Sequence, residues 1–397
     1  MTTRPLTHSK HRRRTRAMLA TSAAAVLVVL APAHAFLTQV PRCPGATPFE
    51  PSSARRRGTP PWPRPAATVT ADLALDTIIS DLRARIAQSP AHLEDSDESQ
   101  RHAERHVSTR FEVDGLGNLV GGPEEEARLA QRLALDTFVV VRVTCADVRA
   151  SMVRLREAAE HLLGDARTVE QKLDAFGAMQ DHGEGVVSGY AGGGDYGADQ
   201  FLETRGRGGL GIAPDVEAEA LPGVIEGRRA LSALSCGVLR AVARQTLPEV
   251  DQTAFLHLVD DGEGGPEAGN QDLSASPLRV CRYAGADGVA FGSHTDTTFL
   301  TVIPCTPAPG LEILQPSTGR WLRPEAAGSC RPGDDVMLLA GELLQVFGQG
   351  RYRAAVHRVV RPAGLTAPRV STPLLLRGAL GASIKDSMLP AAVVANL

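Results

Sequence analysis

Apolar residues recur every three to four positions through the first part of the chain, a spacing typical of amphipathic helices. The spacing predicts helices in the stretches ADLALDTIISDLRARIAQ, EEEARLAQRLALD, ADVRASMVRLREAAEHLLG and RRALSALSCGVLRAVARQTL. The second helix runs directly into FVVVRV, which we predict to be a strand. Its first turn carries the acids Glu124, Glu125 and Glu126, which the positive end of the helix dipole favours. The pattern therefore predicts a helical half that ends near residue 254.

Two stretches between these helices lack a helical period. The charged segment EDSDESQRHAERH, which begins at Glu94, is predicted to be mobile. The glycine-rich segment SGYAGGGDYGADQ, which begins at Ser188, is predicted to be a loop. Both are therefore expected to lie outside the regular elements.

Short apolar runs separated by Gly and Pro turns follow from about Phe255 onward. These runs are LRVCRYAG, FLTVIPC, GLEIL, DVMLLAGELLQVF, AAVHRVV and VSTPLLLRG. Several short strands separated by turn signals indicate an all-β sandwich or barrel. Helices first and a compact β domain last predict an α+β protein.

Composition narrows the function. The chain has 397 residues, 43% of them hydrophobic, and a formal net charge of −3. Residues 1 to 70 hold eleven Lys and Arg but the single acid Glu50, which leaves 31 Lys and Arg against 44 Asp and Glu in the rest. An acidic body argues against nucleic-acid binding, because phosphate neutralisation supplies most of such affinity. We therefore expect a small-molecule substrate and no nucleic-acid partner.

Six cysteines are widely spaced and form no CxxC pair, which indicates neither a zinc knuckle nor a dense disulfide framework. Most of them are predicted to be free thiols, two or three of them in the core.

The N-terminus has the pattern of a targeting signal. The basic cluster HRRRTR precedes an apolar run from Ala17 to Ala31, and Ala33-His34-Ala35 fits the small-x-small pattern of signal-peptide cleavage. A bilayer span needs about 20 apolar residues. The fifteen of this run therefore favour a cleaved signal peptide over residues 1–35, with an uncleaved signal anchor as the alternative. A chain cleaved there is expected to keep no stable membrane span.

Residues 36–70 are rich in Pro, Ser, Thr and Arg, the composition of a transit peptide and also of a disordered linker. Phe36, directly after the predicted cleavage site, resembles the start of the two-part plastid-targeting leaders of algae whose plastids came by secondary endosymbiosis. That resemblance implies a plastid location. Secretion, or retention in the lumen of the endomembrane system, is the alternative.

The stretch GSHTDTTFLTVIPC places a histidine and an aspartate at the start of an apolar run. If His294 and Asp296 lie in one strand, their i, i+2 spacing points both side chains to the same face. His357 in AAVHRVV offers a third ligand from a neighbouring or facing strand. Two histidines and one carboxylate leave positions open on the metal, an arrangement associated with non-heme Fe(II) and oxygen. Zinc is the alternative metal, although a structural zinc is usually closed by a fourth protein ligand.

Other motifs are weaker. His92 with Glu94 and His182 with Glu184 repeat the H-x-E spacing, but they fall in a predicted helix end and a loop and are interpreted as chance. GRGGLG, from Gly206 to Gly211, matches the dinucleotide-loop pattern, but neither LETR before it nor IAPD after it indicates a strand or a helix start. His257 is interpreted as a core or rim residue.

The motifs of the β half occur together in one order. RYAG is followed by HTDTTFLTVI, GLEIL, RPGDDVMLLAGELLQVFGQGRYRAAVHRVV and RVS. In this order they resemble the plant-type 2-oxoglutarate and Fe(II)-dependent dioxygenases, the family that includes isopenicillin N synthase-like oxidases. The resemblance extends backwards more faintly into the helical half, so that it covers roughly residues 115 to 385. It implies a double-stranded β-helix, or jelly roll, with N-terminal helices packed against one side.

The resemblance also implies roles for six residues. His294, Asp296 and His357 match the iron ligands and the catalytic centre. Arg369 and Ser371 match the pair that binds the distal carboxylate of 2-oxoglutarate, and Tyr283 matches a tyrosine that assists them. One departure is that Arg369 lies twelve residues beyond His357, where the family usually has about ten. An ordinary surface position for Arg369 is the alternative interpretation.

The implied enzyme uses Fe(II), 2-oxoglutarate and O₂, with ascorbate as a reductant. It would hydroxylate or desaturate a small organic substrate and release succinate and CO₂. An oxidase working without 2-oxoglutarate and a non-catalytic jelly-roll binding protein are the alternatives. The predicted organisation is leader (1–35), linker (36–70), helical extension (71–114), N-terminal helical region (115–254), jelly roll (255–385) and C-terminal tail (386–397).

Overall fold

The computed structural model describes residues 97–181, 187–192, 200–206, 214–246, 258–260, 273–285 and 287–379. Its helices are α1 (Asp97–Ser108), α2 (Pro123–Asp136), α3 (Ala146–Leu163), α4 (Val169–Phe176), α5 (Pro214–Thr246) and α6 (Glu342–Phe347). Its strands are β1 (Phe111–Val113), β2 (Phe138–Val143), β3 (Gln180–Asp181), β4 (Val187–Gly192), β5 (Gln200–Gly206), β6 (Leu273–Tyr283), β7 (Gly288–His294), β8 (Leu300–Pro304), β9 (Leu311–Gln315), β10 (Arg320–Leu322), β11 (Asp335–Ala340), β12 (His357–Arg361), β13 (Arg369–Ser371) and β14 (Leu374–Leu376).

The strands form two sheets. The larger sheet has the order β1, β2, β11, β8, β14, β6, β5, β4, β3, and β13 also pairs with β6. The smaller sheet has the order β10, β9, β12, β7. Strands far apart in sequence are neighbours in both sheets, as in a jelly roll.

The inner faces of the two sheets share apolar clusters. Phe138 and Met337 from the larger sheet pack with Ile313 and Leu322 from the smaller one. At another point between the sheets, Phe201, Cys281 and Tyr283 of the larger sheet pack with Val359 of β12 and with the partly buried Phe291 of β7. The sheets therefore face each other, and the predicted α+β jelly roll is confirmed.

Helices cover the outer face of the larger sheet. Leu133 of α2, Leu155 of α3 and Leu239 of α5 are fully buried in one cluster with strand residues such as Val141 and Val302. The amphipathic patterns that predicted α2 and α3 match their observed positions, and FVVVRV forms β2 directly after α2. The third helix was predicted to begin at Arg228, but α5 begins earlier, at Pro214. The predicted supporting helices are therefore in place behind the sheet.

Two segments predicted to be irregular belong to regular elements. The expectation of a mobile EDSDESQRHAERH is wrong for its described part, because Asp97–Ser108 forms α1. Ala103 and Val107 provide a narrow buried stripe at i, i+4 spacing, which the surrounding charges conceal. The expectation of a loop from Ser188 is wrong for Val187–Gly192, which is strand β4. Within it, Gly189 has a φ of 116°, and a Cβ there would lie 2.5 Å from the carbonyl oxygen of Ala178.

The sequence around GRGGLG also differs from expectation. LETR lies inside β5, and α5 begins at Pro214, so a strand precedes the motif and a helix follows it. β5 nevertheless pairs antiparallel with both β4 and β6. A dinucleotide loop requires a parallel β-α-β unit, which these pairings do not form.

The run DVMLLAGELLQVF divides in two, since β11 ends at Ala340 and α6 begins at Glu342. The predicted leader, linker and first helix lie outside the described residues, as do His92, His182 and His257.

The five cysteines in the described part of the chain are free, and three of them are buried, as predicted. Among the helices that the structure describes, none combines the length and apolar character that a membrane crossing requires.

Candidate active site

His294 and His357 are direct cross-strand neighbours. His294 is the last residue of β7 and His357 the first of β12, and the two are register partners in the antiparallel pair. Their ring centroids lie 4.2 Å apart. The pairing of two strands therefore places both imidazoles on one side of the smaller sheet.

Asp296 reaches these histidines from a loop. The expectation that His294 and Asp296 share a strand is wrong, because β7 ends at His294 and β8 begins only at Leu300. Asp296 Oδ1 lies 3.8 Å from His294 Nε2, and its Oδ2 lies 3.5 Å from His357 Nε2. One ligand atom from each of the three residues lies within 4.8 Å of the others, a spacing suitable for one metal ion.

Backbone carbonyls orient both imidazoles. His294 Nδ1 lies 2.8 Å from the carbonyl oxygen of Gly292, and His357 Nδ1 lies 3.0 Å from that of Ala355. A carbonyl oxygen only accepts, so each Nδ1 carries the proton and donates it. Each Nε2 is thereby left with a free lone pair, the form in which histidine binds a metal.

The carboxylate is held by the residues that follow it. Thr301 Oγ1 on β8 donates to Asp296 Oδ2 at 2.7 Å. The start of α6 holds the backbone of the same loop, because Glu342 N donates to the carbonyl oxygen of Asp296 at 2.9 Å. The Glu342 carboxylate also accepts from Thr295 Oγ1 at 2.6 Å and Thr297 Oγ1 at 3.0 Å. The loop is therefore fixed on both sides of its metal-facing residue.

The site favours the ligand forms of its residues. Burial, reinforced by the neighbouring His357, lowers the pKa of His294 to about 4. Burial acts to raise the pKa of Asp296, but the charges of His357, His294 and Arg279 outweigh it and lower that pKa to about 2. At neutral pH His294 is neutral and Asp296 ionised, and metal binding requires these forms.

Arg369 lies on β13 opposite Tyr283 on β6. Only 3% of its side chain is exposed, so the alternative of an ordinary surface position is wrong. Its guanidinium lies 5.6 Å from the centroid of the Tyr283 ring and pairs with the fully buried carboxylate of Glu325. Nη2 donates to Glu325 Oε1 at 3.0 Å and Nε donates to Oε2 at 3.3 Å.

The remaining nitrogen of this guanidinium is unsatisfied. Arg369 Nη1 is buried and has no hydrogen-bond partner. Such a group costs roughly 1–3 kcal/mol or more unless a ligand pairs with it. Ser371, two residues along β13 and opposite Cys281, is also buried and adds a hydroxyl on the same strand face. The pair presents donors for an anion.

An apolar cluster joins this anchor to the histidines. Tyr283 packs in the cluster that includes Val359, two residues beyond His357 on β12. Phe291 lies against the same cluster, and its ring centroid is 4.3 Å from that of His294. The three metal-facing residues and the anchor therefore belong to one interior.

Residues 275–378 match the family model of the 2OG-Fe(II) oxygenase superfamily. This part of the jelly roll is similar to a 2OG-Fe(II) oxygenase domain. The matched range includes all six residues to which the sequence assigned roles.

Parts of the chain are similar to curated plant enzymes. The chain is 32% identical to gibberellin 3-beta-dioxygenase 1 of Oryza sativa subsp. japonica over 89 residues, 22% of this chain and 21% of that protein. It is 30% identical to gibberellin 2-beta-dioxygenase 6 of the same organism over 141 residues, 32% of this chain and 37% of that protein. The chain thus spans between about a fifth and two fifths of these relatives' length. The resemblance to plant-type 2-oxoglutarate and Fe(II)-dependent oxygenases is confirmed.

The fold has counterparts among solved structures. A structure of full-length Neurospora crassa T7H in complex with alpha-KG and 5-formyluracil is 17% identical and has a TM-score of 0.51. The similarity covers 72% of this chain and 94% of that one. It therefore supports the same architecture for the helical half and the oxygenase domain together.

The residues of this oxygenase domain fit Fe(II) and 2-oxoglutarate. Two imidazoles and one carboxylate are a facial donor set that leaves positions open on the metal. The unsatisfied Arg369 Nη1 is the kind of donor that a cosubstrate carboxylate satisfies. The described residues therefore include ligands for the iron and a donor for 2-oxoglutarate.

The sequence did not predict the partners that hold these residues. Glu342 follows Gly341 in the quoted GELLQ motif, so its position was visible but its role was not. Thr301 lies within the quoted HTDTTFLTVI, but its role was not visible there. Glu325 lies outside the quoted motifs, and only the fold brings it to Arg369.

Proposed function

We propose that this protein is an Fe(II)- and 2-oxoglutarate-dependent dioxygenase that hydroxylates or desaturates a small organic substrate and releases succinate and CO₂. The observation that carries the proposal is the buried, unsatisfied Arg369 Nη1 in the same interior as the two histidines and Asp296. A metal-binding scaffold without a cosubstrate would have no need of such a costly donor.

Each residue has a defined part in this proposal. His294, Asp296 and His357 hold the iron from one side and leave its other side to cosubstrate and oxygen. Arg369 and Ser371 bind the distal carboxylate of 2-oxoglutarate, and Tyr283 forms the wall beside the guanidinium. When bound, iron and 2-oxoglutarate supply the oxidation of a C–H bond, driven by decarboxylation. The protein places that bond and excludes water.

The interior of the domain is suited to excluding water. Tyr283 and Phe201 are buried on the inner face of the larger sheet, and Val359 closes the same cluster from β12. Apolar walls next to the ligand set keep bulk water from the reacting centre and strengthen the charge interactions within it.

The test is an anaerobic titration of the full chain with Fe(II) and 2-oxoglutarate, followed by the visible charge-transfer band of the chelate. We expect the band in wild type, its loss in His294→Ala, and a large increase in the 2-oxoglutarate concentration required in Arg369→Ala. Arg154→Ala is the control, because Arg154 pairs with Glu226 on exposed helix surfaces, with 48% of its side chain exposed.

Iron binding without any chelate band in wild type would replace this proposal with an oxidase that needs no 2-oxoglutarate. Absence of iron binding would leave a jelly-roll scaffold. Substitutions that unfold the chain are recognised by circular dichroism and are replaced by His294→Gln and Arg369→Lys, which conserve size.

We also propose a plastid location, reached through a two-part leader. The support is the order of basic cluster, apolar run and Ala33-His34-Ala35, with Phe36 directly after it. Residues 1–70 fused to a fluorescent protein should enter the plastid of an alga with a secondary plastid. The same fusion with Phe36→Ala should stop before the plastid. Secretion of both fusions would contradict the proposal.

A further inference from the structure

Two arginines that the proposed chemistry does not use lie near the metal-facing residues. Arg279 is on β6 and Arg377 directly follows β14. The charge of Arg279 acts on both His294 and Asp296, and that of Asp296 acts on Arg377. Both guanidinium groups are therefore within electrostatic reach of the candidate iron site.

The strand register places both on the inner face of the larger sheet. Leu278 and Leu374 are register partners and are buried in the outer cluster with the helices. Alternation along β6 then turns Arg279 inward, to the face of Cys281 and Tyr283. Its guanidinium lies 5.4 Å from the ring of Phe201, which belongs to the inner cluster.

The same reasoning applies to β14. Leu375 is the register partner of Thr301, whose hydroxyl donates to Asp296, so this face points to the metal-facing residues. Arg377 is two residues beyond Leu375 and continues on that face. β14 and β6 are neighbours in the sheet, so both arginines face the same wall, Arg279 beside Pro373 and Arg377 further along, beside Ser276.

Arg279 and its buried neighbour Arg205 share one hydrogen-bonded carboxylate. Glu203 on β5 accepts from Arg279 Nε at 2.8 Å, while its other oxygen accepts from Arg205. Arg205 is fully buried, and its remaining nitrogen, Nη1, donates to the carbonyl oxygens of Ser274 and Ala275. One carboxylate thus serves two arginines, and it does not also hydrogen-bond Arg377.

The guanidinium of Arg377 is incompletely hydrogen-bonded. Its buried Nε has no hydrogen-bond partner. Burial, reinforced by the charges of Arg279 and Arg205, lowers its pKa to about 10. Arg279 keeps 22% of its side chain exposed, although Glu203 holds its Nε. The wall therefore offers one unsatisfied donor and one partly open guanidinium for an incoming anion.

We propose that Arg377 and Arg279 form a subsite for the carboxylate of the substrate, so that the enzyme oxidises an organic acid. This inference rests on the proposed dioxygenase function and gives its substrate class. The subsite is separate from Arg369, which lies on β13 and pairs with Glu325. A carboxylate held on the wall of β6 and β14 fixes one end of the substrate beside the iron and leaves the rest against the apolar cluster.

The experiment uses the full chain with Fe(II) and saturating 2-oxoglutarate under anaerobic conditions. It is titrated with three acids and their amides at constant ionic strength: acetate, phenylacetate and cinnamate against acetamide, phenylacetamide and cinnamamide. Binding is read from the change in the chelate band and from the melting temperature. We expect the acids to bind wild type at least about tenfold more tightly than the amides, as a charge-assisted hydrogen bond predicts.

Arg377→Met should remove the preference for acids over amides without changing the 2-oxoglutarate concentration needed for the chelate band. Arg279→Met should reduce the preference, Arg377→Lys should retain part of it, and the exposed control Arg154→Met should behave as wild type. If Arg377→Met fails to fold, the preference for acids over amides is compared in Arg279→Met, Arg377→Lys and wild type instead.

Three results would overturn the inference. They are equal binding of acids and amides by wild type, unchanged acid binding in Arg377→Met, and weaker 2-oxoglutarate binding in that variant, which would assign the arginine to the cosubstrate. Failure of the proposed function is distinguishable, because wild type would then form no chelate band. The melting temperature with each acid and amide would still report on the arginine subsite in that case.

Discussion

Glu325 determines how the anchor arginine can act. Its two carboxylate oxygens accept from the backbone of Thr306, Gly310 and Leu311, from the Thr306 hydroxyl, and from Nε and Nη2 of Arg369. The carboxylate is fully buried and fully used, so it balances the charge of Arg369 but cannot also satisfy Nη1. The result is a neutralised but still incompletely bonded guanidinium, held in place for an anion.

Removal of this carboxylate should destabilise the whole domain. Glu325→Gln leaves the buried charge of Arg369 without its counter-ion, which typically costs about 3 kcal/mol. Urea unfolding of the full chain measures the loss. Glu124→Gln is the matched control, since Glu124 is exposed in the first turn of α2 and should change stability by less than about 0.5 kcal/mol. Equal stability of the two variants would contradict this account of Glu325.

The pKa of His294 gives a second prediction at this scale. In the iron-free protein it should titrate near 4 instead of 6.5, because burial and His357 disfavour the imidazolium. The unfolded state then binds the extra proton between these two values, so this group makes folding more favourable as pH rises from about 4 to 6.5. Above 6.5 its contribution is constant.

Histidine ring NMR of the iron-free full chain checks this value, with His294→Gln identifying the signal. A His294 signal that titrates near 6.5 would show that the imidazole is solvated, contrary to the packing against Phe291 and His357.

At the scale of elements, the loop between β7 and β8 depends on the start of α6. Gly341 N donates to the carbonyl oxygen of Phe299 at 3.1 Å, and Leu343 N donates to that of Thr298 at 3.0 Å. A Cβ at Gly341 would lie 2.1 Å from the carbonyl oxygen of Thr298. The helix start and the loop that carries Asp296 can therefore approach only because residue 341 has no side chain.

Gly341→Ala should displace the loop and weaken iron binding by about tenfold or more, the range expected when the support of a metal ligand is lost. Anaerobic Fe(II) titration measures the affinity, and circular dichroism verifies folding. Gly328→Ala is the control, because a Cβ there meets only Glu104 Oε2, at 3.8 Å. Iron affinity unchanged by Gly341→Ala would show that the loop is not held through this contact.

Sequence periodicity predicted elements well where one face is buried. α2, β2 and α3 follow from it, because each has many buried apolar residues. β7, whose residues are exposed or half-buried, was not among the predicted runs. Periodicity failed where burial depends on few residues, as in α1 with Ala103 and Val107, and where glycine serves close packing, as at Gly189 in β4. It also misplaced Asp296 in a strand, because the apolar TFLTV follows it closely in the sequence. Asp296 instead lies in a loop, which is held by hydrogen bonds from the distant start of α6.

The residues of the candidate site could be predicted from the sequence, but the residues that hold them in place could not. His294, Asp296, His357, Arg369 and Ser371 occur in ordered motifs, and the structure brings them into one interior. Glu325 is 44 residues before Arg369, and Arg377 and Arg279 face one wall only through the pairing of β14 and β6. Such contacts depend on the topology of the sheets, which local pattern does not determine.

At the scale of the whole molecule, the site connects the two sheets. His294 and His357 belong to the smaller sheet, whereas Arg369, Ser371 and Tyr283 belong to the larger one. Iron and 2-oxoglutarate would therefore bridge the sheets, one end of the chelate on each. A ligand that binds only the folded state stabilises it, by about 2.7 kcal/mol at a concentration one hundred times its Kd.

Iron and 2-oxoglutarate together should therefore raise the melting temperature of the full chain by more than the sum of their separate effects. 2-Oxoglutarate alone reaches only the anchor on the larger sheet, and iron alone reaches only the ligands beside the smaller one. His294→Ala should abolish the effect of iron and reduce that of 2-oxoglutarate to its value without metal. Anaerobic differential scanning calorimetry measures each shift. Strictly additive shifts would mean that the two ligands bind independently, and the bridging of the sheets by one chelate would then be wrong.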